Sequence, residues 1–312
     1  KENNSSNSHL FLKSKFNLEL NNFDNAGLDI KLQQTDGDDY LKTYKLKSPL
    51  IETENNLHSS INFNVSREDL QVEIAAETYE NLGLLGNDRY EYVYPSFNIL
   101  KNIKEFQNGN LNLVSSGAHK QFNTNVNEKT LVNDLSFKSF NKISSLGLVS
   151  NYEFLFKNFN SKSKNSTIYK DKVGSSFQSI VNYEMKYPLQ KIKKKFSSTL
   201  TPIISARYSP NDSKNKSTED RLIDLNNIFS INRIGSADTV EGGQSITIGT
   251  EYTIFNNKND NNFFSIDLAT ALRDVKNDNL PTNSTLGKKN SDIFGNIDLN
   301  TGKFLDFNYN VF

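Results

Sequence analysis

Apolar and polar residues alternate along most of the chain with a period of two. That is the period of a strand with one apolar face and one polar face. Leu10, Leu12, Phe16, Leu18 and Leu20 share one parity, with Lys13, Lys15, Asn17 and Glu19 between them. After the turn NNFDNAG, Leu28, Ile30 and Leu32 alternate with Asp29, Lys31 and Gln33, which predicts an antiparallel hairpin. The polar stretch DGDDYLKTYKLKSP reads as a loop with tyrosines. Leu57, Ile61, Phe63 and Val65 then run to a turn at SRED, and Leu70, Val72, Ile74 and Ala76 return opposite Gln71, Glu73 and Glu77. Tyr90, Tyr92 and Tyr94 lead to Pro95 and a looser strand through Phe97 and Ile99, and weaker runs cover 110–121 and 131–140.

The clearest alternation lies in the middle and beyond. Leu146, Leu148, Tyr152, Phe154 and Phe156 share a parity, as do Val173, Phe177, Val181, Tyr183, Met185 and Tyr187. Beyond the basic turn QKIKKK come Phe196, Leu200, Ile204, Ala206 and Tyr208, and after the polar segment 209–243 come Ile246, Ile248, Tyr252 and Ile254. Phe264, Ile266, Leu268 and Leu272 follow, then Ile293, Ile297 and Leu299, and a last hairpin with Leu305, Phe307, Tyr309 and Val311. No stretch sustains the 3.6-residue period of an amphipathic helix. The expectation is about fourteen strands of about ten residues, hairpin-connected, in one β domain over 1–312 with no linker dividing it.

A soluble sandwich and a membrane barrel both fit alternation. Strand length favours the barrel, because about ten residues cross a bilayer at a tilt whereas soluble strands average five or six. Aromatics gather near strand ends (Tyr90, Tyr92, Tyr94; Tyr152, Phe154, Phe156; Tyr183, Tyr187; Tyr208), as interfacial girdles do. The second face is charged, with Glu19, Lys31, Glu73, Glu153, Glu184, Arg207, Glu251 and Asp267. The fold expected is therefore all-β, a large antiparallel transmembrane β-barrel whose polar face lines a hydrated lumen.

Composition narrows the chemistry. Acidic and basic residues balance at 36 each, which removes long-range attraction to nucleic acid as a driving feature. Cysteine is absent, and with it disulfides, thiolate metal sites and cysteine nucleophiles. His9, His58 and His119 lie far apart in sequence, so no metal cluster is expected. Neither a G-x-S-x-G elbow nor a phosphate-binding glycine fingerprint occurs, and no enzyme activity and no cofactor are expected. The basic run Lys191–Lys195 reads as a solvated turn that can also meet anionic head groups.

One loop carries an unusual residue set. Between Asp224 and Phe255 the chain places Arg233, Gly235, Asp238, Glu241, Gly242 and Gly243 ahead of the alternating strand. Together with Ile228, Phe229, Gly249 and Tyr252, this stretch resembles the signature segment of the LptD family of lipopolysaccharide-assembly proteins. Tyr187-Pro188-Leu189 and Thr201-Pro202 through Tyr208-Ser209-Pro210-Asn211 are similar to that family's lead-in. Two further matches keep the order: Asp36 with Tyr40, Leu41 and Tyr44, and Ser291, Asp292, Ile293 and Gly295. The stretch departs from the family at Thr239, where Arg is frequent, and at Gln244-Ser245, where a basic residue is common.

The resemblance implies transport of lipopolysaccharide to the Gram-negative outer membrane and its insertion into the outer leaflet without catalysis. It also implies an LptE-like lipoprotein plug, an LptA-like periplasmic bridge reached through an N-terminal jelly roll, and assembly by the barrel-assembly machinery. The jelly roll and the gate strands are expected to lie outside the present chain. On this reading Arg233, Asp238 and Glu241 shape a loop folded into the lumen, and Lys31, Glu73, Glu184, Arg207 and Glu251 line it. A porin or plugged nutrient receptor, and a non-transporting surface β protein or adhesin, are the alternatives.

Overall fold

The computed structural model describes residues 8–46, 48–51, 53–257, 261–300 and 306–311; Leu305 of the expected last hairpin lies outside the described residues. Among the described residues sixteen strands follow one another: β1 (His9–Asn17), β2 (Asn25–Thr35), β3 (Asn56–Arg67), β4 (Leu70–Asn81), β5 (Tyr90–Phe106), β6 (Gly109–Phe122), β7 (Val126–Ser139) and β8 (Lys142–Ile143). Then come β9 (Val149–Lys164), β10 (Gly174–Lys186), β11 (Leu189–Ile192), β12 (Phe196–Ser209), β13 (Gly243–Asn256), β14 (Asn261–Arg273), β15 (Phe294–Asn300) and β16 (Asp306–Val311). Fourteen of them form an antiparallel meander in chain order, and the short β8 and β11 pair with β9 and β12 at its side. Among the described residues no helix is long and apolar enough to cross a membrane.

The chain divides into two compact units: Lys1–Ile103, Asn112–Asp134 and Asn158–Ser176 in the first, Lys104–Leu111, Leu135–Lys157 and Phe177–Phe312 in the second. In the first, β3 and β4 keep continuous register from Asn56↔Asn81 to Arg67↔Leu70, so a two-residue turn joins them as SRED predicts. The stretch expected to be a polar loop contains a short helix, α1 (Tyr40–Tyr44). Its Leu41 is buried with Leu57 and Leu82. One turn and a half of helix is too short to leave a period in the sequence.

The strands are inverted relative to a soluble protein. On β13, Ser245 and Thr247 are 5% and 4% exposed while Ile246 and Ile248 are 44% and 46% exposed. On β12, Ser205, Arg207 and Ser209 are buried and Ile204 and Tyr208 exposed; on β10, Gln178 and Asn182 are buried and Phe177, Val181 and Tyr183 exposed. The first unit likewise exposes Leu10, Leu12, Phe16, Ile61 and Ile74. Water drives apolar area inward. A sheet that turns its apolar face out and covers its polar face is built for a hydrocarbon surround.

Candidate functional site

In the second unit the polar face of β10, β12, β13 and β14 is covered by the segment between β12 and β13. That segment brings its own apolar centre: Ile223, Ile228 and Ile234 pack with Ala269 and Ala271 of β14 and with Leu280, Leu286 and Phe294. Small residues on the strand face make room for it, and the Phe229 ring sits against Gly249. The segment between β14 and β15 is stitched to it by backbone hydrogen bonds, from Lys216 N to the Asn279 carbonyl at 2.7 Å and from Thr282 N to the Ser217 carbonyl at 3.2 Å.

At the base of this loop Glu241 is completely buried and meets three guanidinium groups. Arg233 grips it with two donors, Nε to Oε2 at 2.9 Å and Nη2 to Oε1 at 2.6 Å. Arg207 of β12 reaches Oε2 at 2.6 Å, and Arg273, the last residue of β14, donates to Oε1. The spare donors are used locally: Arg233 Nη1 to Thr247 Oγ1 at 3.1 Å, its Nη2 to Ser245 Oγ at 2.7 Å, and Arg207 Nη1 to the Ile231 carbonyl at 2.6 Å. A bidentate ion pair flanked by two further guanidinium groups is an arrangement in which buried charge is tolerated, although the Nε atoms of Arg207 and Arg273 are buried without a partner among the described residues. Burial alone raises the Glu241 carboxyl, but the arginines, Arg207 first, overcome it and pull it down to about 2.

A second charge group lies beside it. Asp238 pairs with Lys216 at 2.8 Å and Lys214 at 3.5 Å. Burial opposes ionisation, yet the hydrogen bond from Lys216 holds the Asp238 carboxyl below its ordinary value, and Asp238 in turn helps raise Lys216 against its own burial. Gln178 of β10 fastens the same loop, donating to Thr239 Oγ1 at 3.2 Å and accepting from Val240 N at 2.9 Å. Gly242 donates to Ser213 Oγ at 2.8 Å, and any Cβ on it would overlap the Asn211 carbonyl oxygen. Gly243 adopts φ +81°, the left-handed turn that starts β13.

The structure therefore joins Arg233, Asp238, Glu241 and Gly242 in one buried assembly with Arg207, and the exposed Gly243 leads from it into β13. Gly235 turns the same loop at φ +59°. Ser291 is close by in the fold, its Oγ accepting from Ala271 N at 2.8 Å, while Asp292 N donates to Thr285 Oγ1 at 2.8 Å. Ile293 is exposed and Gly295 begins the pairing of β15 with β16. Glu184 accepts from Asn151 at 3.3 Å, and Glu251 stands opposite Asp267 in the ladder.

The other matches belong to the first unit. Asp36 accepts from Ser8 N at 3.0 Å, Tyr40 OH meets His9 Nδ1 at 2.7 Å, and Tyr44 packs on Tyr40 with ring centroids 4.7 Å apart. Lys31 pairs in register with Lys13 and Ser60, and Glu73 accepts from Asn62. His9, His58 and His119 are engaged separately, by Tyr40, by stacking on Tyr79 and by Asn127.

Sequence reasoning missed Arg273, Lys214, Lys216, Ser213 and the fastening role of Gln178. Arg273 carried a signal, since it shares the polar parity of β14 with Asp267. The lysines and Ser213 carried none, because their partners, Asp238 for Lys214 and Lys216 and Gly242 for Ser213, lie in the loop outside any strand period.

An antiparallel meander that turns its apolar face out and, in the second unit, carries a loop packed on its polar face is the architecture of a transmembrane β-barrel protein. The sequence pattern of the LptD family, described as LPS transport system D, matches residues 7–312. The chain belongs to that family, whose members serve lipopolysaccharide transport to the outer membrane. No curated protein matches the chain.

Proposed function

We propose that this chain forms one continuous stretch of barrel wall that moves lipopolysaccharide into the outer leaflet of the outer membrane, with no covalent step. The inverted burial of the strands carries this reading. Acyl chains need an apolar route and sugar and phosphate groups a hydrated one, and a wall with two such faces separates them. The Glu241 cluster and the Asp238–Lys216 pair hold the loop against the polar face, where it shapes and seals the lumen. Lys31, Glu73, Glu184 and Glu251 line the remaining polar face. An LptE-like lipoprotein inside the barrel, an LptA-like bridge feeding it and assembly by the barrel machinery complete the proposal; family membership supports them.

The loop's sealing role is tested by Asp238→Ala. Cells carrying only this variant are expected to assemble less barrel and to admit bulky antibiotics that intact cells exclude. Normal assembly with normal exclusion would sink the sealing role.

A further inference from the structure

The basic turn after β11 stands apart from the loop site, at the other ends of the second unit's strands. β11 pairs with β12 through Leu189↔Leu200 and Lys191↔Ser198. The same rows continue as Leu200↔Tyr252↔Ile266 and Ser198↔Ile254↔Phe264. Lys191 therefore shares the face of Leu189, Leu200, Tyr252 and Ile254, the apolar face, at its margin. Lys193 and Lys191 line a cleft of about 340 Å³ whose other walls are Phe196, Tyr252, Ile254 and Phe263, with Ser197 and Ser198. The Phe196 and Phe263 rings meet with centroids 5.4 Å apart. The turn is held, with Lys193 N donating to the Phe196 carbonyl at 3.0 Å and Asn257 Nδ2 to the Lys193 carbonyl at 2.7 Å. Among the described residues no carboxylate pairs with Lys191 or Lys193. Two ammonium groups beside an aromatic-walled cleft, at the rim of an apolar band, match an amphiphile with an anionic head and an acyl tail.

We propose that this cleft binds an anionic phospholipid, the phosphate on Lys191 and Lys193 and one acyl chain against Phe196, Tyr252, Ile254 and Phe263. Its position selects the source. Within this unit the long loops 210–242 and 274–293 lie at the opposite strand ends, and in outer-membrane barrels long loops face outward and short turns face the periplasm. The cleft thus opens to the inner leaflet.

The test uses the purified protein in neutral detergent, stripped of lipid and titrated with phosphatidylglycerol, phosphatidylethanolamine or lipid A under native mass spectrometry. Phosphatidylglycerol is expected to bind selectively, and Lys191→Gln with Lys193→Gln to weaken it about 10- to 30-fold, roughly fivefold per lysine. Phe196→Ala is expected to weaken it as well, while Lys276→Gln, an exposed lysine at the other strand ends, leaves it unchanged. Equal binding of phosphatidylethanolamine, insensitivity to the lysine pair, or lipid A bound more tightly through the same lysines would overturn the proposal. Circular dichroism on each variant separates lost binding from lost fold.

Discussion

Glu241 is the residue on which the loop depends. Among the described residues it is the one carboxylate paired with these three guanidinium groups, so its removal leaves buried positive charge facing itself. Glu241→Ala is expected to cost about 3–5 kcal/mol, the scale for breaking a buried pair from one side. Lowered from 4.5 to about 2, its carboxyl stabilises the fold fully above pH 4.5 and loses that contribution as pH falls towards 2. The depressed Asp238 carboxyl adds stability with the same sign. Heat-dependent gel mobility recorded against pH should show the folded form of the wild type weakening across that window. Glu241→Gln should be weaker at neutral pH and flatter towards acid; a parallel loss in both proteins would remove Glu241 as the cause.

At the scale of elements, the strand ladder was legible and the loop packing was not. A period of two is written in each strand by its own residues, so β10, β12 and β13 could be read with their faces. Helix α1 hid because five residues carry no period, and β8 and β11 because they are shorter still. In the loop, Arg233, Asp238 and Glu241 were visible as a set, but their partners come from β12, β14 and residues 214–216, a closure that no local pattern encodes. Two substitutions test the elements. Ile248→Lys places a charge on the apolar face and should cost about 2–4 kcal/mol near the membrane midplane, whereas Thr201→Lys, on the polar face opposite Glu251, should be tolerated. Gly242→Ala should stop the loop from docking against Asn211, seen as protease cleavage within 210–242 with the strands still folded; a resistant loop would mean that the backbone there gives way.

For the whole molecule, the inverted sheet and the family match lead to one activity. A wall whose outer face is apolar and whose polar face is fastened by buried ion pairs suits a large amphiphile, which must keep its head and tails in different surroundings. A diffusion porin needs an open lumen instead, and the packed loop on the polar face of β10, β12, β13 and β14 works against one. The most direct measurement is the arrival of newly made lipopolysaccharide at the cell surface while the protein is depleted. Surface-exposed lipopolysaccharide should fall in step with the protein, the newly made material accumulating inside, and delivery continuing at its normal rate without the protein would contradict transport.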